Sequence, residues 1–375
     1  MKLGDIGTPA LVLDRTRLAR NLTAMSARIK AHGVDLRPHV KTAKSLEVAR
    51  LATEGHSGGI TVSTLNEAAY FARGGFRDIT YAVGIVPSKL AEAAAIEREG
   101  ARLTLIADTV EAARAVADRA AALSTRFGIL IEVDSGSGRA GVAPDDPALI
   151  EIAGILDGSP EIELRGVLTH AGHSYACTTV ADIEAVAEAE RRAVVDAADR
   201  LRGAGFPCPV VSVGSTPTAR FARSLEGVTE ARPGVYVFFD LYQAGLGCCG
   251  IDDIALSVLA SVIGRRPERG RALIDAGALA LAQDRSTAGQ AVDRGYGMVC
   301  DISGADAGLH VVNVNQEHGF VESPTGALPA DALPLGGRVR VLPNHACMTA
   351  AAHDRYHVVD GGDEVVAVWE RTNGW

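Results

Sequence analysis

Several short segments of this chain carry side chains whose types and spacing could do chemistry. Leu36-Arg37-Pro38-His39-Val40-Lys41-Thr42-Ala43-Lys44-Ser45 reads as a strand that delivers a lysine to its C-terminal end and turns straight into a helix. Catalytic groups gather at that end of the strands in parallel α/β architectures, so Lys41 is placed to act as an amine nucleophile or a base. A lysine after a strand is more often a solvated loop charge, and Lys41 gains weight only from the segments around it. Val213-Gly214-Ser215-Thr216-Pro217-Thr218 follows an apolar strand and opens a helix, so its backbone N–H groups and hydroxyls can converge on a phosphate dianion. The same Ser/Thr-Pro pattern also makes an ordinary helix cap. Asp134–Gly141 is a glycine-rich loop that ends another apolar strand and offers Arg139, and Thr169–Tyr175 sets His170, His173 and Tyr175 where a strand stops. In Pro343-Asn344-His345-Ala346-Cys347-Met348-Thr349 the spacing predicts, on a strand, an imidazole and a thiolate facing the same way and meeting one ion. The competing reading is a buried cysteine beside a turn histidine.

These groups need elements to position them. At 375 residues the chain suits two domains, or one large barrel with an appendage. Apolar residues are 47% and charged residues 22%, a globular composition, and the formal charge of −9 argues against a nucleic-acid or anionic-membrane surface. Met1–Ile6 lacks an apolar signal core, and no uninterrupted apolar run approaches the ~18 residues of a membrane span. A cytoplasmic protein is expected. Six cysteines in a chain of this size do not make a secreted disulfide framework.

After a short β-type run over residues 8–14, with Asp14 as N-cap of a helix reaching Ala31, strands and helices alternate. The expected strands are Asp35–Lys41, Gly59–Thr64, Asp78–Val83, Arg102–Asp108, Arg126–Asp134, Glu163–His170, Pro209–Gly214 and Gly227–Phe239. Several are continuous apolar runs, the pattern of a parallel sheet buried on both faces. Eight of them predict a (β/α)8 TIM-type barrel. Beyond about Gly250 six β-like runs (Ser257–Gly264, Ala272–Ala276, His310–Val314, Arg338–Leu342, His357–Val359 and Glu364–Trp369) are separated by turns, not helices. The expected division is a barrel over 15–250 and a mainly β domain formed by 1–14 with 251–375, carrying the His345/Cys347 segment.

The lysine segment, Asp134-Ser135-Gly136-Ser137-Gly138-Arg139-Ala140-Gly141, Ala231-Arg232-Pro233-Gly234-Val235-Tyr236, Gly172-His173-Ser174-Tyr175 and Pro343-Asn344-His345-Ala346-Cys347 together resemble the fold-type III pyridoxal-phosphate enzymes, nearest to the D-serine dehydratase and D-3-hydroxyaspartate dehydratase branch. The resemblance covers nearly the whole chain. It implies that Lys41 carries the cofactor and that Arg139 approaches the phenolic oxygen. Gly214, Ser215, Thr216, Gly234 and Val235 hold the phosphate, and Arg232 stands near the ring nitrogen. His39 and His170 border the cofactor, Tyr175 is a neighbour of the cofactor-bearing lysine, and His173 and Tyr175 join Lys41 in catalysis. His345 and Cys347 are similar to a zinc pair of the dehydratases. In the related aldolases aspartate replaces Cys347, which favours manganese or magnesium, whereas soft Cys/His ligation favours zinc. One departure is Ala43, where many relatives have histidine. The implied function is metal-assisted dehydration of a D-β-hydroxy amino acid such as D-serine, D-threonine or D-3-hydroxyaspartate, by a homodimer. Cleavage to glycine and an aldehyde by an aldolase is the first alternative, and a non-catalytic cofactor-carrying protein the second.

Overall fold

The computed structural model describes residues 1–324, 328 and 333–375. They form two compact units, Met25–Gly234 with Gly374–Trp375, and Met1–Ala24 with Val235–Asn373.

The first unit is built on eight parallel strands: Asp35–Leu36, Ile60–Val62, Asp78–Gly84, Arg102–Ala107, Phe127–Val133, Ile162–Thr169, Val210–Val213 and Glu230–Ala231. From Ile60–Val62 onward each pairs with the next, and Glu230–Ala231 pairs back with Asp35–Leu36. A parallel bridge between His39 and Thr61 closes the ring. The architecture is the expected (β/α)8 barrel, with helices in the crossovers. Threonines cap three of them: Thr64, Thr109 and Thr179 accept from the backbone N–H three residues on.

Two strands are much shorter than their sequences suggested, and each is cut by a proline that brings no N–H donor to the ladder. The strand expected over Asp35–Lys41 ends at Leu36, just ahead of Pro38; beyond it the N–H groups of Arg37 and His39 still donate to the Ala231 and Pro233 carbonyls, and His39 bridges Thr61. Lys41 therefore stands on a turn, not on the last residue of a strand. The Lys44 N–H donates to the Val40 carbonyl at 2.7 Å, and Lys44 takes the left-handed conformation with φ +48°. The helix begins only at Leu46. The strand expected over Gly227–Phe239 is reduced to Glu230–Ala231, with Pro233 leading into a 3-10 turn at Val235–Val237.

The barrel interior is not wholly apolar. Arg37 is buried and spans from Glu230 to Asp78, and Gly59 makes room for it, since a Cβ there would lie 2.3 Å from the guanidinium. Gly128 does the same for Arg165, whose Cδ would be 2.6 Å away.

In the second unit nine strands form one sheet. Six of them, Leu256–Arg266, Arg271–Ile274, Gly319–Glu322, Asp306–Val314, Met298–Cys300 and Arg338–Leu342, pair antiparallel in that order, and the last pairs back with the first to make a closed β-barrel. Two of these, Met298–Cys300 and Gly319–Glu322, are too short to stand out by alternation. Ala10–Asp14 extends the sheet, antiparallel to Leu256–Arg266 and parallel to Arg355–Val359. Asp14 Oδ1 accepts from the N–H groups of Thr16 and Arg17 at 3.0 and 3.1 Å, capping the helix Arg15–Ala31.

The division of the chain differs from boundaries at 15 and 250. The first turns of that helix are tied to the chain beyond Val235: Asn21 Nδ2 donates to the Asp253 carbonyl at 2.8 Å and Arg17 Nη1 to that of Ile254 at 3.0 Å.

Candidate active site

At the C-terminal ends of the barrel strands lies a cavity of about 250 Å³, and its wall includes His39, Lys41, Glu132, Arg139, His170, Gly214 and Arg232. Six of the residues singled out by sequence are thus brought to one place from five segments of the chain. The turn carrying Lys41 is braced from beneath. Lys44 Nζ lies 3.2 Å from Oε1 of the buried Glu67, whose other oxygen accepts from the Ser63 N–H at 3.0 Å.

The two imidazoles at the wall are neutral. Burial first, and then the charges of Lys41 and Arg232, push His39 well below the usual imidazole range. Burial and Lys41 push His170 down to about 3. A neutral ring has one N–H, and the Gly214 carbonyl beside His170 Nδ1 can only accept, so His170 carries its proton on Nδ1 and offers Nε2 as an acceptor. Arg139 is exposed, with Glu132 Oε1 3.7 Å from its guanidinium. Burial raises the Glu132 carboxyl above its ordinary range, and Arg139 opposes that.

The segment expected to cradle an anion is partly committed to the protein. The Gly214 N–H donates to Oε1 of buried Glu190 at 3.2 Å, and the same oxygen accepts from Ala171 N at 2.9 Å. Ser215 Oγ accepts from Thr218 N at 3.1 Å as an N-cap and meets Ser174 Oγ at 3.1 Å. The Gly214 N–H and the Ser215 hydroxyl thus have partners within the protein. What reaches the cavity at this segment is Gly214. Thr216, Gly234 and Val235 are buried and are not part of the cavity wall. His173 and Tyr175 lie on the 3-10 turn Gly172–Ala176 and are not part of the cavity wall.

The His345/Cys347 segment belongs to the other unit and is not a strand. The strand Arg338–Leu342 stops before Pro343, and His345 is the N-cap residue of a short helix, Ala346–Ala350. Asp240 Oδ2 accepts the Ala346 N–H at 2.9 Å, and Asn344 Nδ2 donates to the carbonyls of Asp284 and Gly295 at 3.0 and 2.6 Å, fixing the turn. His345 and Cys347 still interact, now across the first turn of a helix. Asp284 Oδ2 lies 2.8 Å from His345 Nδ1, which leaves Nε2 as the nitrogen available to a ligand. Burial lowers the His345 pKa, but the hydrogen bonds with Asp284 and Cys347 outweigh it and bring it to about 10. The Asp284 carboxyl is correspondingly held down at about 2. Among the described residues no cluster of three or more His, Cys, Asp or Glu side chains is arranged to hold a metal ion.

Sequence reasoning missed Glu132 in the wall and three further buried acids, Glu67, Glu190 and Glu230. Each falls in an ordinary helix or strand pattern, and only the unusual placement of Glu132 in the apolar run Gly128–Val133 could have drawn notice.

Residues 13–241 match the family model described as alanine racemase, N-terminal domain, and residues 255–359 that of a putative serine dehydratase domain. The chain is 48% identical to the D-threo-3-hydroxyaspartate dehydratase of Delftia sp., over 99% of this chain and 98% of that one. The solved structure of that protein superposes with a TM-score of 0.95, covering 100% of both chains at 48% identity. Identity to the D-serine dehydratase of Dictyostelium discoideum is 31%, over 100% of this chain and 98% of the relative. It is 30% to the 3-hydroxy-D-aspartate aldolase of Paracoccus denitrificans, over 98% and 92%. With both halves matched and a relative this similar along its whole length, the chain belongs to the fold-type III pyridoxal-phosphate enzymes, in the group that joins an alanine racemase-like barrel to a serine dehydratase domain.

Proposed function

We propose that this protein is a pyridoxal-phosphate lyase that dehydrates a D-β-hydroxy amino acid to a 2-oxo acid and ammonia. The observation that carries the reading is the donor pair His345 and Cys347. Removal of an α-proton is common to racemases and lyases, but hydroxide is a poor leaving group that needs an electrophile beside it.

The residues suit both groups the reaction requires. The barrel cavity presents the cations Lys41, Arg139 and Arg232 against the single carboxylate of Glu132, and the buried His39 Nδ1 at its wall has no partner, so the site is built for an anionic ligand of small-molecule size. His345 and Cys347 form a soft nitrogen and sulfur pair with the acids Asp284 and Asp240 nearby, a donor set and a field that favour zinc. With only two protein donors, coordination positions stay open for water and substrate.

Pyridoxal phosphate, when bound, supplies a conjugated ring that delocalises the negative charge left on Cα. Zinc would supply Lewis-acid help to the departing hydroxyl. Lys41 would hold the cofactor and, as a free amine once substrate is bound, would take the α-proton. Arg139 would meet the phenolic side of the ring and Arg232 the ring-nitrogen side, as the resemblance implies, while His170, with its proton fixed on Nδ1, would stand at the same cavity wall as a neutral group. Asp284 holds the His345 ring through Nδ1, so Nε2 would be the nitrogen offered to the metal. Loss of water leaves an unsaturated amine that hydrolyses to the 2-oxo acid and ammonia. A homodimer in the cytoplasm completes the reading, the dimer from the resemblance; among the described residues no helix is long and apolar enough to cross a membrane.

The relatives named as dehydratases and as an aldolase set the substrates to try: D-threo-3-hydroxyaspartate, D-serine and D-threonine. A thiolate at 347 supports dehydration over carbon–carbon cleavage, because the aldolase pattern has a carboxylate there. With the loaded enzyme, ammonia and a 2-oxo acid should appear in equal amounts, chelation should stop them, and zinc should restore them. Glycine plus an aldehyde as the only products would replace this reading with the aldolase. Cofactor binding with no turnover of any D-amino acid would replace it with a carrier protein.

A further inference from the structure

Arg232 is 5% exposed and reaches the cavity, yet its guanidinium is far from unconstrained. A buried guanidinium keeps its charge, so its N–H groups need acceptors and its charge a counter-charge. Nη2 donates to the Thr169 carbonyl at 2.6 Å, and Nη1 donates to Ser212 Oγ. Ser212 is fully buried, and its hydroxyl lies 2.7 Å from Glu230 Oε1. The direction of this chain of bonds is forced. Guanidinium only donates and carboxylate only accepts, so the one serine proton must point to Glu230 while a serine lone pair receives Arg232. Glu230 Oε2 accepts from Arg37 Nε at 2.7 Å, and Arg37 Nη2 donates to Asp78 Oδ2 at 2.9 Å. The relay runs from the cavity down to Asp78, the first residue of its strand.

A relay of this kind has a use here. Three carboxylates, Glu230, Glu190 and Glu132, all attract Arg232. Lys41 and Arg139 add like charge at the same wall. Ser212 is the group that selects one acid among the three, and the Arg37 and Asp78 pairs keep Glu230 fixed while it is used.

We propose that Ser212 and Glu230 are positioning residues that lock the Arg232 guanidinium in one orientation toward the cofactor. The proposal rests on the reading of Arg232 as a cofactor contact. It is tested on the purified full chain stripped of cofactor, by titrating pyridoxal phosphate while recording visible circular dichroism, which reports how the bound ring is oriented, with the thermal melt of the stripped protein as the check on folding. Ser212→Ala should weaken cofactor binding about tenfold or more, the scale of a lost charge-assisted hydrogen bond, and change the dichroic band. Ser212→Thr, which keeps the hydroxyl, should bind within about twofold of the natural protein. Placed on Arg232→Gln, Ser212→Ala should add less than about twofold, because the serine acts through the arginine. If Ser212→Ala does not fold, Ser212→Cys, nearly the same shape but a poor hydrogen-bonding group, takes its place in every arm. A folded Ser212→Ala protein with natural affinity and an unaltered band would overturn the proposal, and so would an equal loss in the Arg232→Gln background. If Arg232→Gln alone changed neither quantity, the cofactor role of Arg232 would fall first. A change with Arg232→Gln but none with Ser212→Ala removes the relay alone.

Discussion

Lys41 owes its role to its surroundings more than to its own chemistry. It stands on a turn that the Lys44–Glu67 ion pair pins, facing a cavity with two further cations, so an anionic cofactor is drawn to it. Lys41→Ala should leave the folded protein without the protein-linked visible absorption near ~420 nm that lysine-bound pyridoxal phosphate gives. Retention of that band, mapped by borohydride reduction to another lysine, would refute the assignment. His345 makes a second prediction at this scale. Its folded-state pKa of about 10 lies above the ordinary 6.5, so in chelated protein it contributes stability that is fully present below pH 6.5 and lost as pH rises through about 10. A metal takes the imidazole only after that proton leaves. Zinc affinity, measured against a competing chelator, should therefore rise about tenfold per pH unit between pH ~6.5 and ~8.5, and Cys347→Ala should weaken it at every pH. A flat profile would mean that the ion is held elsewhere.

Among the elements, the barrel strands carry irregularities that the site depends on. Where Phe127–Val133 pairs with Ile162–Thr169 the register skips, Ile129 facing Leu164 and Leu130 facing Gly166. The skip at Arg165 is accompanied by a contact from its guanidinium to Thr104 and by a backbone at Gly166 with φ +129°. A Cβ at 166 would lie 2.0 Å from the Val210 carbonyl oxygen. Gly166→Ala should cost about 3 kcal/mol or more in urea unfolding of the stripped protein, because both backbone strain and a clash with main chain oppose it. A loss under about 1 kcal/mol, the scale of an ordinary glycine-to-alanine change in a regular strand, would show that the bulge relaxes without cost. Downstream of the same strand, Thr169 gives its carbonyl to Arg232, so a destabilised bulge should also loosen the cofactor.

For the whole molecule, the prediction concerns assembly. The resemblance implies a homodimer, and light scattering of the loaded enzyme should give a mass twice the 39.0 kDa of the chain. A fully active species of 39.0 kDa would exclude it. Each unit closes its own sheet into a barrel, one parallel and one antiparallel, so each has buried most of its backbone edges and is expected to hold its fold through reversible loss of cofactor or metal.

The sequence alone was enough for what depends on local pattern. Continuous apolar runs alternating with helical stretches announce a parallel barrel, Asp14 announces a helix start, and the lysine, arginine and histidine–cysteine segments name the chemistry. What it could not decide depends on partners far along the chain. Pro38 and Pro233 end their strands early because the ladder needs a donor they lack, and this moved Lys41 onto a turn. His345 and Cys347 meet across a helix start, held there by Asp240 from a segment some hundred residues earlier. Within the Val213–Thr218 segment, expected to offer N–H groups and hydroxyls to a phosphate, the Gly214 N–H donates to Glu190 of the preceding helix. Ser212 and Glu230 look like ordinary strand residues until the barrel closes and sets a hydroxyl between a carboxylate and a guanidinium. Spacing along a chain records which faces are apolar and where backbone donors are missing, but which buried charge finds which partner is fixed only when the strands come into register.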